Sequence, residues 1–90
     1  MKSSDLLRPC TEKVLEDVDS RDPKYGLAWS KAEQCPLKYL DAKLQQKANG
    51  VAFIIGNGQI VERKAFLEEL LLDLMGYSLM VYWRIMNEDI

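Results

Sequence analysis

Phe66-Leu67-Glu68-Glu69-Leu70-Leu71-Leu72-Asp73-Leu74-Met75-Gly76-Tyr77 is the stretch whose reading decides the fold. It lies in a run from Glu62 to about Asn87 whose apolar residues, continuing through Leu79, Val81, Tyr82, Trp83 and Ile85, go nearly all the way round a helix. The run predicts a helix roughly 39 Å long at ~1.5 Å per residue. A helix apolar on most sides has to be central. One acid, Asp73, stands in the middle of it. A buried carboxylate is costly unless something cationic meets it, and Asp is a poor helix-interior residue. Asp73 therefore marks a place where a metal ion or a basic side chain is expected.

Outward from that run, the preceding segment is β-prone. Val51-Ala52-Phe53-Ile54-Ile55 and Gln59-Ile60-Val61 flank Gly56-Asn57-Gly58, and Asn-Gly supplies the positive φ of a tight hairpin turn. The alternative is an apolar loop over the core. Before it, a helix is predicted from near Cys35-Pro36 to Asn49-Gly50, with Leu37, Leu40, Leu44 and Ala48 on one face. Leu7, Cys10, Val14, Leu15 and Val18 place another over roughly residues 4–20, its regular part starting late because of Pro9. Arg21-Asp22-Pro23-Lys24-Tyr25-Gly26 reads as a turn. The fold class is mostly α: one three-helix domain over residues 1–90, with a long central C-terminal helix and a short β-hairpin before it. Two helices and a hairpin of this size cannot cover such a last helix, so a homo-oligomer is expected.

Bulk properties narrow the function. A 90-residue chain buries only about 60–65% of its unfolded surface, so its stability margin is thin without a disulfide, a metal or a partner subunit. Cys10 and Cys35 do not form a disulfide scaffold, and the chain has no histidine, which removes most zinc sites and every Ser-His or Cys-His arrangement. The net charge is −2 with acids and bases mixed, so there is no basic stripe for a nucleic-acid polymer. There is no apolar signal core and no stretch long enough for a membrane span, which makes a cytoplasmic protein the expectation.

Three clusters could carry chemistry. On the last helix Glu69, Asp73, Tyr77 and Arg84 fall on one face, with Glu68 beside them. Two carboxylates one turn apart can hold a divalent ion, and hard oxygen ligands suit Mg²⁺ or Mn²⁺. The same residues equally describe solvated acids and an ion pair between Asp73 and a Lys or Arg of another helix, or Arg84 of a second copy. Tyr25 and Trp29 could stack on a nucleobase or cap a small core. Asp41 and Lys43 could face the acids of the last helix or simply lie on a solvated face.

In order, these motifs resemble the nucleotide modification-associated domain 1 family of phage and bacterial proteins. Asp22-Pro23-Lys24-Tyr25-Gly26-Leu27-Ala28-Trp29 is similar to its "DYGxSW" turn, and Glu68-Glu69-Leu70-Leu71-Leu72-Asp73-Leu74-Met75-Gly76-Tyr77 to its acidic-leucine helix. The resemblance covers roughly residues 5–86. Through it the chain is distantly similar to MazG-type all-α nucleoside triphosphate pyrophosphohydrolases. It implies Glu68, Glu69, Asp73 and Asp41 as ligands of Mg²⁺, and Tyr25, Trp29, Lys43 and Tyr77 as contacts to a nucleotide or related small molecule. It also implies hydrolysis to a monophosphate and pyrophosphate as an activity. Thr11-Glu12-Lys13-Val14-Leu15-Glu16-Asp17 lacks the EExxE spacing of the MazG-type enzymes, which favours binding over turnover. A non-catalytic interaction protein, such as a phage-encoded inhibitor or a sponge for a signalling molecule, is the alternative.

Overall fold

The computed structural model describes residues 1–87. They form three helices, α1 (Ser3–Tyr25), α2 (Leu37–Gly56) and α3 (Lys64–Met86), with a 3₁₀ turn (Ala28–Ser30) between the first two. There is no strand among the described residues. Helix α3 is the central element, and both α1 and α2 pack against it. No helix among the described residues is long and apolar enough to cross a membrane.

Helix α1 runs straight through Pro9. A proline inside a helix strips a carbonyl of its intrahelical partner. Here residues 1–13 are all exposed, so water can serve the freed carbonyl. The Asp5 carboxylate accepts the Lys2 backbone N–H at 3.0 Å and sits at the positive end of the helix. Contrary to the turn expected at residues 21–26, the helix continues to Tyr25. It stops at Gly26, where φ is +62° and the N–H donates to the Asp22 carbonyl at 2.7 Å.

The hairpin expected over residues 51–61 is replaced by the end of α2 and a tight cap. The Gln59 N–H donates to Ile54 O at 3.0 Å and the Gly58 N–H to Ile55 O at 3.1 Å, with Gly58 at φ +65°. That is a Schellman motif, in which a left-handed residue lets two orphan carbonyls find donors. Asn57-Gly58 thus supplies the positive φ of a helix stop rather than of a strand turn. Nor does α2 end at Gly50, as the spacing suggested. A Cβ at Gly50 would stand 3.0 Å from Leu70 Cδ1, so this glycine is where the backbone of α2 comes close to α3. Gly76, buried in α3, meets α1 in the same way, its missing Cβ 3.4 Å from Val18 Cγ2.

The core is small. Ile54, Leu67 and Leu70 form its centre, with Val51 and Leu71 packed against it, and Val14, Cys35 and Leu40 are the other buried apolar side chains. The largest fully buried side chain is charged: Arg84, 1% exposed, whose Nη1 donates to the Cys35 carbonyl at 2.6 Å. That bond ties the end of α3 to the residue before the Pro36 cap of α2. Phe66, Leu79, Tyr82, Trp83, Ile85 and Met86 of the central helix remain exposed.

Candidate functional site: a cavity floored by an ion-paired aspartate

The three helices are tied together at Asp73. Its side chain, 11% exposed, lies 2.7 Å from Arg21 Nη2 of α1 and 3.0 Å from Lys47 Nζ of α2. Arg21 Nη2 is also 3.4 Å from Asp17 Oδ2, one turn earlier on its own helix. The Arg21 contact is an ion pair rather than a well-aligned hydrogen bond, because Asp73 Oδ1 has no hydrogen-bond partner among the described residues. Burial pulls the Arg21 guanidinium down, but Asp73 and then Asp17 outweigh it, and the net shift is upward. The cation that the sequence demanded for Asp73 is thus supplied by two other helices of the same chain.

Above this cluster opens a cavity of about 680 Å³ between α1, the 3₁₀ turn, α2 and α3. Trp29, Tyr39 and Tyr77 bring aromatic rings to its lining, and Arg21, Lys43, Asp17, Asp22 and Asp73 bring charge. Lys43 Nζ stands 5.5 Å from the centroid of the Tyr39 ring, one turn apart on α2, a cation–π distance. Trp29 is held edge-on against Trp83, with ring centroids 5.4 Å apart at 81°. Its indole N–H is buried and has no hydrogen-bond partner among the described residues. An unpaired buried donor costs about 1–3 kcal/mol, and this one is closed to solvent rather than presented on the cavity surface.

Of the residues expected at a site, the cavity gathers Asp73, Trp29, Lys43 and Tyr77. The side chain of Tyr25 lies outside the described residues. Glu68, Glu69 and Asp41 are all exposed and do not line the cavity. Glu68 is 3.8 Å from Lys13 Nζ, and Asp41 accepts the Gln45 side-chain amide at 3.1 Å. No group of three or more potential metal ligands comes together among the described residues. As folded, the acids do not fit a preformed Mg²⁺ cage, since Asp73 already has two cationic neighbours.

Sequence reasoning missed Arg21, Lys47 and Tyr39. Two of these were signalled. Lys47 continues the face of Leu40 and Leu44 toward Val51 and Ile54, so it is a base on an apolar stripe just as Asp73 is an acid on one. Arg21 sits one turn after Asp17.

No protein-family model, curated protein or solved structure matches the chain.

Proposed function

We propose that the protein binds a nucleotide or nucleotide-derived small molecule in the cavity between its three helices. The reading is carried by one observation: three aromatic rings and Lys43 line a space of about 680 Å³, in which the charge of Arg21 is already met by Asp73 and Asp17. Pockets for small ligands span roughly 300–1,000 Å³ and combine apolar walls with a few placed polar groups. An aromatic base would lie among Trp29, Tyr39 and Tyr77, with the anionic part near Lys43. Kinship with the nucleotide modification-associated domain 1 family belongs to this proposal and rests on the turn and last-helix motifs. Binding is the function proposed. Magnesium enters only as a companion of the ligand's phosphates, and no hydrolytic step is derived through it.

The test is thermal unfolding and calorimetric titration with a set of nucleoside mono-, di- and triphosphates and cyclic dinucleotides, with and without Mg²⁺. A ligand at 100 times its Kd stabilises the fold by about 2.7 kcal/mol. Lys43→Ala, at a partly exposed position, should weaken binding about tenfold while leaving the unliganded melt in place. No response to any member of the set would overturn the reading. The second reading, a non-catalytic interaction protein, is favoured by the apolar side chains left exposed along α3.

A further inference from the structure

We propose that two copies of this chain pair through the apolar groove between α1 and the C-terminal half of α3. The groove, about 410 Å³, is lined by Leu15, Leu79, Tyr82, Trp83 and Met86 among others, and none of its lining side chains is charged. These five are between 42% and 70% exposed. Aromatic residues and methionine are the types enriched at the centres of protein interfaces.

Area argues for a second copy as the occupant. The chain exposes 6803 Å². A folded monomer of 10.4 kDa is expected to expose about 5,400 Å². The excess of roughly 1,400 Å², part of which belongs to the wholly exposed residues 1–13 rather than to the groove, is larger than the ~800 Å² per partner of a standard interface. Shape agrees: the radius of gyration is 14.4 Å, against about 12 Å for a compact domain of this length. Among the described residues the core holds six buried apolar side chains, which is small for a helical domain. Small domains of this kind are commonly completed by a partner subunit.

The groove is also suited to a two-fold arrangement. Leu15, Tyr82, Trp83 and Met86 all line the depression, and Tyr82 and Met86 are the most exposed of the five. In a two-fold pair each copy offers the same patch, so the apolar lining of one copy meets that of the other. Val18, Trp29, Gly76 and Met80 line both this groove and the larger cavity, so pairing would close the apolar side of the cavity wall.

The experiment uses the unliganded full chain, so its outcome is independent of any nucleotide. Sedimentation equilibrium across micromolar concentrations should return twice the 10.4 kDa chain mass. Diluting the wild-type chain should red-shift tryptophan emission as Trp83 meets water, which reads the same equilibrium without a substitution. Tyr82→Glu and Met86→Glu change side chains that are 61% and 70% exposed, so helix content by circular dichroism should hold. Each should weaken pairing by about a hundredfold. Val61→Glu, at an 86%-exposed position away from the groove, should leave it unchanged. A wild-type monomer at those concentrations overturns the proposal. So does a dimer that survives both groove variants, or one broken by Val61→Glu instead.

Discussion

Replacing Asp73 by Asn keeps the volume of the side chain and removes its charge, leaving Arg21 and Lys47 facing each other without their shared anion. An exposed ion pair contributes about 0–1 kcal/mol, whereas stripping one partner from a fully buried pair costs about 3–5 kcal/mol. This cluster lies between those limits. The carboxylate is 11% exposed and Lys47 21%, but Arg21 is 45% exposed and its share is screened by water. The expected loss is about 2 kcal/mol, most of it through Lys47. In a domain of this size that lowers Tm by about 10 °C. Urea unfolding at fixed protein concentration, followed by far-UV circular dichroism, is the assay, and the midpoint should fall with an unchanged slope. Lys47→Met should lose less, and the double variant should show a coupling of about 1 kcal/mol. A neutral or stabilising Asp73→Asn would refute the reasoning. It would mean that the carboxylate is strained in the unliganded fold and held for a cation the chain does not supply.

The two glycine helix crossings give opposite expectations for the same substitution. Gly76→Ala should stabilise by about 0.5–1 kcal/mol, since alanine is the better helix former and its methyl would meet Val18 at an ordinary 3.4 Å. Gly50→Ala should destabilise by about 1 kcal/mol, because its methyl would be pressed to 3.0 Å from Leu70 and overpacking outweighs the propensity gain; urea midpoints compare the pair. Arg84→Met should cost about 3 kcal/mol by orphaning the buried Cys35 carbonyl, a loss checked by the same unfolding curves. Burial pushes the Cys35 thiol above its ordinary 9.0, with Arg84 pulling more weakly the other way. The fold therefore prefers the protonated thiol, so its contribution is complete below pH 9 and is lost as pH rises toward the raised folded value. Unfolding midpoints of the wild type should fall over that interval more steeply than those of Cys35→Ala.

The long last helix was legible because its apolar residues encircle it, and the structure starts and ends it within two residues of the expected bounds. Pro36 likewise marked the start of α2 correctly. The error lay at Gly50 and at Asn57-Gly58. A positive-φ glycine closes a hairpin and stops a helix with the same backbone conformation, and local composition does not separate the two. What does separate them is the 3.6-residue rhythm of Leu40, Leu44, Lys47, Val51 and Ile54, which carries the helical face past Gly50. At the site, Asp73 was conspicuous as a charge among leucines, and a cationic partner from another helix was one of the readings its spacing allowed. The metal reading required Glu68, Glu69 and Asp41 to turn inward. They had solvent to face instead, and nothing in their spacing compelled otherwise.

Helix α1 touches the rest of the molecule through a short stretch. Its first eleven helical residues are all exposed, and Val14, Val18 and Arg21 supply the grip, with Lys13 adding a solvent-exposed contact to Glu68 at 3.8 Å. Part of that grip is electrostatic and half in water, so it loosens with salt in a way the Ile54–Leu67–Leu70 centre does not. The seam it holds runs alongside the cavity. Transient fraying there requires far less free energy than melting the whole domain, so ionic strength would shift how often the pocket gapes.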